Sequence, residues 1–252
     1  MRFVARKDSE VVRRSKRTNP AGKPVSNRIL LAIPDSEYHS IRPHLEFVNL
    51  PHHRTLHEPY QRLESVYFPN RGMISLVVTT KDGKAVEVGV VGKEGFLGIP
   101  SVVGLSRTPL LWVVQITGDG FKVNASVLQR TLQSIPQLQR VLNRYAVLQW
   151  LQLTQTAVCN RLHDTEQRLA RWLLITQDRV GSNLLPITHD FLATMLGTDR
   201  PSVSLAAGIL QRKQAIDYIR GTLKILNRKK LEDSACECYR AIQPFDTEAF
   251  LK

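Results

Sequence analysis

Just behind Asp199 stand Arg200, Ser202, Ser204 and Leu205, residue types whose chemistry is the reading of base edges. An arginine can bond guanine O6 and N7 in bidentate fashion, and side-chain hydroxyls bond bases or phosphates. Leu205 either meets a thymine methyl group or packs within its own chain. Such groups read a duplex only when a rigid element presents them, and the stretch from Thr188 to Lys213 parses as two helices around a tight turn. Thr188 suits the N-cap of the first helix and Asp199 that of the second. Arg200, Pro201 and Ser202 then fall in the second helix's first turn, where a missing amide proton does no harm. Ala193 is small where the helices cross, Gly197 suits a left-handed turn, and Leu192, Leu196, Val203 and Leu210 meet between them. Any helical hairpin can show alanine and glycine at this spacing. Here two short alternating strands follow at once, Ile216 to Ile219 and Leu223 to Leu226, joined by Arg220-Gly221-Thr222. That is the pattern of a wing, whose Arg220, Thr222 and Lys224 are placed to touch phosphates. The expected winged helix-turn-helix, residues 184 to 226, would project Arg200 and Ser202 from the tip of a helix lying in the major groove.

Other reactive side chains form weaker sets. His52, His53, His57 and Glu58 suggest a cupin-like metal-dependent enzyme. That site wants a His-x-His pair, whereas adjacent histidines point to opposite sides of a strand. Glu94-Gly95-Phe96-Leu97-Gly98 is too poor in glycine for a dinucleotide fingerprint and reads as a turn among strands. The three cysteines, Cys159, Cys236 and Cys238, are odd in number in a chain with no export signal, so they read as reduced thiols. Cys236-x-Cys238, two thiols with no histidine near them in sequence, reads as structural. No catalytic residue, metal or cofactor is expected.

The elements that position these groups follow from charge and periodicity. A net charge of +13 favours a polyanionic partner. Much of it lies in residues 1 to 26, with Arg2, Arg6, Lys7, Arg13, Arg14, Lys16, Arg17 and Lys23 but no apolar segment behind them, so this stretch reads as a disordered basic tail. A general nucleic-acid-binding module driven by that tail is the other alternative. With 42% hydrophobic residues and no run long enough to cross a bilayer, the chain reads as soluble and cytoplasmic, with no membrane partner. Short helical pieces are expected over 27 to 46, then strands. Ile74, Leu76 and Val78 alternate on one, Val86, Val88 and Val90 on the next, with a hairpin turn at Asp82-Gly83, and Leu111 to Ile116 form another. Asn70-Arg71-Gly72 and Gly92 to Gly95 read as further turns. Ser126 and Gln129 look like a capping box, as do Asp164 and Gln167 at the head of a helix ended by Gly181. Between them, Pro136 to Asn160 is the longest helical candidate. Its stripe of Leu138, Val141, Leu142, Tyr145, Leu148, Gln152 and Gln155 would either zip against a twin or pack on its own barrel. The expected α+β chain has an antiparallel β-roll over 27–123, a helical dimerisation segment over 124–163, a winged domain over 164–240 and a tail over 241–252.

The sequence resembles the Crp/Fnr family of bacterial transcription regulators over residues 27 to 240. The resemblance is carried by Val86-Glu87-Val88-Gly89-Val90-Val91-Gly92-Lys93-Glu94-Gly95-Phe96-Leu97-Gly98, by the long helix to Asn160 and by the winged unit from Leu185 to Leu226. It implies a cyclic-nucleotide-binding-like β-roll, a dimerisation helix, a homodimer on inverted-repeat sites in double-stranded DNA, and contact with RNA polymerase. It also implies an effector pocket at Gly98, Arg107 and Thr108. The family's Gly-Glu-Leu stretch, whose carboxylate holds ribose, becomes Gly98-Ile99-Pro100 here, although Arg107-Thr108 remains, so cyclic AMP is not the expected ligand. Oxygen-sensing members bind an iron-sulfur cluster through N-terminal cysteines, which this chain lacks. Where many relatives carry a glutamate and then an arginine behind the leading arginine, this chain has Pro201 and Leu205 behind Arg200, which implies a different half-site.

Overall fold

The computed structural model of the chain describes residues 17–219 and 221–248. Of the expected disordered tail, residues 1–16 lie outside the described residues, whereas residues 17 to 26 are folded, which corrects the sequence reading. Arg17 donates to the carbonyls of Leu30 at 2.5 Å and Ile33 at 2.7 Å, pairs with Asp35 and lies over the Tyr38 ring. Lys23 lies over Phe47, and the Asn19 side chain is buried against the Leu45 carbonyl. The polar composition that suggested disorder supplies hooks for open carbonyls instead. The carbonyls that Arg17 takes belong to helix α1 (Arg28–Ala32) and the chain leading from it into α2 (Asp35–Ile41). Asn27 is fully buried, caps α1 and donates to the carbonyls of Pro69 and Gly95, so it fixes the start of the domain on the sheet.

Strands β1 (Glu46–Leu50), β2 (Thr55–His57), β3 (Ser65–Thr79), β4 (Ala85–Val91) and, after the short helix α3 (Ile99–Val102), β5 (Leu111–Asn124) form one antiparallel sheet. Its order is β1-β5-β3-β4, with β2 also on β5. Val78 faces Val86 across the Asp82-Gly83 hairpin, as the alternation predicts. Asn70-Arg71-Gly72 is not a turn but an irregularity inside the 15-residue β3, where the register with β5 shifts. Gly72 has φ +81°, and a Cβ there would lie 2.4 Å from the Ile116 carbonyl oxygen, so a glycine lets two backbones pass and the strand bend without ending. Asn70 meanwhile accepts from the amides of Ser26 and Asn27. His52 and His53 sit in the turn before β2 with their rings stacked at 3.7 Å, not across a strand as expected. His57 is buried against Trp112, so the histidines do not converge on one site.

Helix α4 (Ala125–Leu132) is capped by Asn124, whose Oδ1 accepts from the amides of Ser126 and Val127. The expected capping box is absent because Gln129 donates instead to the Ser101 carbonyl. Helix α5 (Pro136–Leu162) starts on a carboxylate from elsewhere: Glu37 of α2 accepts from the amides of Gln137 and Leu138 at 3.0 and 2.8 Å, neutralising the open end of the helix. Leu138, Val141, Leu142, Tyr145 and Leu148 are buried in one core with Phe68, Phe96 and Phe121 of the roll. The stripe offered as a seam with a twin is therefore covered by its own domain. Tyr145 lies so close to Gly95 that a Cβ there would meet its hydroxyl at 1.9 Å. The exposed apolar side chains of α5 are Val147, Trp150, Val158 and Leu162, on another face.

Helix α6 (Thr165–Val180) begins with the expected Asp164–Gln167 capping box and ends at Gly181, φ +71°. Strand β6 (Leu184–Leu185), helices α7 (His189–Leu196) and α8 (Arg200–Arg212), and strands β7 (Ile216–Ile219) and β8 (Thr222–Ile225) complete the winged unit. Helices α9 (Arg228–Ser234), α10 (Cys238–Ala241) and α11 (Gln243–Glu248) follow. The core of the winged unit includes Met73, Val90 and Ile116 of the roll together with Leu169, Leu173, Leu192 and Val203, so the two units share one apolar interior. No helix among the described residues is long and apolar enough to cross a membrane.

Candidate nucleic-acid interface

Helices α7 and α8 are held at a fixed crossing by Leu192, Leu196, Val203 and Leu210, all buried. Ala193 is buried at the same contact, and Gly197 turns the chain with φ +58°. Both predicted caps form. Thr188 accepts from the Phe191 amide at 3.2 Å, and Asp199 accepts from the Ser202 amide at 2.8 Å and from the Ser202 hydroxyl at 3.0 Å. These bonds, the backbone one first, hold the Asp199 carboxyl below its ordinary range, so it stays a charged cap at the head of α8.

Arg200 opens α8 and is 65% exposed in its side chain, with Asp190 of α7 as an exposed ion-pair partner at 3.4 Å. An exposed pair of that length is worth about 0–1 kcal/mol, so the guanidinium can be drawn away by a stronger partner. Leu205 is 66% exposed, so of the two sequence readings packing within its own chain is removed. Ser204 is also exposed, and its hydroxyl bonds His189 Nδ1 at 2.9 Å. Burial first, then Arg200, holds His189 below its ordinary range, with Asp190 acting the other way. The uncharged ring packs edge-on against Tyr218 and ties α7 to β7. Asp190 and His189 are members of this site that sequence reasoning missed; the one available signal was their place in the first turn of α7.

In the wing, β7 and β8 pair from Ile216↔Ile225 to Ile219↔Thr222. Leu223 and Ile225 are buried and Lys224 is exposed, so the pleat puts the ammonium on the solvent side. Thr222 is half-buried beside Gly221, φ +79°, and Arg220 lies outside the described residues.

The expected effector residues separate. Gly98 and Thr108 line a cavity of about 190 Å³ between the roll and α5, with Phe96, Leu110, Trp112 and Trp150 among the other walls. Arg107 is exposed and does not line it. Gly98 has φ +114°, and a Cβ there would meet Val66 at 2.7 Å, which explains the glycine by packing.

Behind the interface, the winged unit is fastened to the roll by polar contacts as well as apolar ones. Glu87 of β4 is buried and accepts from Trp172 Nε1 at 2.6 Å and from the Ser75 hydroxyl at 2.5 Å. Burial pushes its carboxyl up to about 7, while Ser75, Trp172 and Arg171 act the other way. Arg179 of α6 pairs with Glu94 at 3.0 Å, both nearly buried. Sequence reasoning gave none of these, because partners some 85 residues apart carry no local signature.

Residues 167–234 match the family model described as the Crp-like helix-turn-helix domain. Among solved structures, FixK2 from Bradyrhizobium japonicum aligns with a TM-score of 0.66 at 15% identity, covering 76% of this chain and 98% of that one. The c-di-GMP responsive global regulator CLP of Xanthomonas campestris aligns at 0.64 and 15%, covering 76% and 99%. A transcriptional regulator of the crp/fnr family from Eubacterium rectale aligns at 0.64 and 15%, covering 84% and 98%. No curated protein matches the chain by sequence. The C-terminal domain is thus a Crp-like helix-turn-helix domain, and the chain around it shares the fold of these regulators.

Proposed function

We propose that the chain binds inverted-repeat sites in double-stranded DNA as a homodimer, with α8 in the major groove and the wing on the backbone. The observation that carries this reading is the head of α8, where a capped helix presents an exposed Arg200 and an exposed Leu205 ahead of a hairpin carrying Lys224. Arg200 donates to guanine O6 and N7, Leu205 meets a thymine methyl group, and Thr188, Asp199, Ser202, Ser204, Arg220, Thr222 and Lys224 hold the register or touch phosphates. Dimerisation is supported by Val147, Trp150 and Val158, exposed along α5 where a second copy would cover them. The reading involves no catalytic step. Contact with RNA polymerase in the cytoplasm is its output.

The effector on this reading is not cyclic AMP. Neither a carboxylate for ribose nor a cation for phosphate is among the described residues that line the roll cavity, and its walls suit an apolar molecule. Selection of duplexes from a random library by the full chain, with light scattering of the bound species, tests the proposal. The expected result is an inverted repeat bound by two chains. Folded protein that retards no duplex of its own genome at low ionic strength, or that binds as one chain, overturns it.

A further inference from the structure

The end of α5 and the segment before α10 bring together four side chains that sequence spacing keeps apart. Cys159 and His163 are one helical turn apart, and Cys236 and Cys238 return to them some 75 residues later. The three thiols are 1%, 4% and 2% exposed and free of disulfides. Cys159 Sγ lies 3.5 Å from Cys236 Sγ, Cys238 Sγ lies 3.5 Å from His163 Nδ1, and all four atoms lie within 4.8 Å of one another.

The two 3.5 Å separations are close to the edges of a small tetrahedron, and the 4.8 Å limit keeps the remaining pairs near enough for small side-chain shifts to close them on one ion. With bonds of about 2.3 Å to sulfur and about 2.0–2.1 Å to nitrogen, a four-coordinate zinc has S···S edges of about 3.8 Å and S···N edges of about 3.5 Å. A polynuclear iron-sulfur cluster, whose metal atoms are themselves separated, needs its thiolates farther apart. The surroundings also suit an ion. His163 Nε2 lies 3.2 Å from Glu237 Oε1, the second contact that orients a metal-bound imidazole and leaves Nδ1 to the ion. Gln155 Nε2 donates to Cys238 Sγ at 3.0 Å, a bond that a thiolate accepts well. Three thiolates around a divalent ion leave one negative charge. The nearly buried guanidinium of Arg171, whose field reaches both Cys159 and Cys238, offsets it.

We propose that Cys159, His163, Cys236 and Cys238 form a Cys3His site for one zinc-class divalent ion, which ties the end of the long helix to the segment behind the wing. The ion sheds its waters, and the three thiol protons pass to solvent as the thiolates bind. The site spans the joint between α5 and α6, so its occupant fixes how the winged unit is carried. The assignment of the four ligands does not depend on DNA recognition.

The test is elemental analysis of the untagged full chain, purified reduced and without chelator. It should hold stoichiometric zinc. Replacement by Co2+ should produce thiolate-to-cobalt charge transfer and the ligand-field bands of a tetrahedral site, with C159S, C236S and C238S each lowering the charge transfer in step with the lost thiolate. Glu237 is 79% exposed in its side chain, so Glu237→Gln should leave the fold intact. In competition with a chromogenic chelator this variant should bind zinc about 10- to 100-fold more weakly. Folded protein that is metal-free and takes up neither Zn2+ nor Co2+ overturns the proposal. So does a Cys159–Cys236 disulfide in the reduced preparation, or the visible absorption of an iron-sulfur cluster.

Discussion

Arg200 is held by an exposed pair with Asp190, and Lys224 stands on the open face of the wing. The two differ in what they can tell a duplex. A bidentate bond to guanine is worth about 1–3 kcal/mol of discrimination, whereas a phosphate contact is the same at every sequence. Arg200→Ala should therefore lower the ratio of specific to scrambled binding by about 5- to 150-fold. Lys224→Ala should weaken both duplexes alike and reduce the salt slope by about one. Titrations of both duplexes at several salt concentrations separate the two, and unchanged discrimination in the arginine variant would remove Arg200 from the reading head. Glu87 makes a prediction about pH. Its carboxyl, raised from 4.5 to about 7 by burial, stays protonated in the folded chain where an unfolded glutamate is ionised. The folded state binds the extra proton between these values, so this contribution to stability is fully present below pH 4.5 and is lost as pH rises through 7. Glu87→Gln keeps a neutral partner for Trp172 and should flatten that part of the profile, a difference of at most about 3 kcal/mol. Chemical denaturation of both proteins at a series of pH values reads it, and parallel profiles would refute the assignment.

At the scale of elements, α5 has apolar side chains on two faces, and only one is covered by the roll. Trp150→Glu, on the open face, should turn a dimer into a folded monomer in light scattering with little change in melting temperature. If the dimer survives, this face is not its seam. The same helix shows where the sequence was legible. Caps and turns at Thr188, Asp164, Asp199, Gly197 and Gly83 were readable because each is settled within four residues of chain. The stripe from Leu138 to Leu148 was readable as buried, but periodicity does not say what buries it. The fold resolved that through Tyr145 and Gly95, 50 positions apart. Asn70-Gly72 misled for a related reason. A glycine with positive φ serves a turn and a bulge equally, and only the facing Ile116 carbonyl tells them apart.

For the whole molecule, charge was the least informative guide. Arg17 and Lys23 count toward the net +13, yet both are spent on internal contacts. Removal of residues 1 to 16 should leave specific DNA retardation in place, whereas removal of 1 to 26 should also lower the melting temperature, since it strips the carbonyls of Leu30 and Ile33 of Arg17. Loss of all DNA affinity in the shorter truncation would shift the interface from the winged unit to the N-terminus. The outline of roll, long helix and winged unit was legible because each has its own period. The Cys3His cluster and the Glu87 fastening were not, since both depend on chain segments that meet only after folding.

The interior shared by Met73, Val90 and Ile116 with the winged unit bears on how a signal would be relayed. Swinging the reading head away would wet these side chains, at roughly 1.5–3 kcal/mol for each one fully exposed. A gradual drift would forfeit those contacts before any replacement could form. Rearrangement would thus go in a single jump between two seats, like a toggle, and an effector could throw it only by favouring the second seat by several kilocalories.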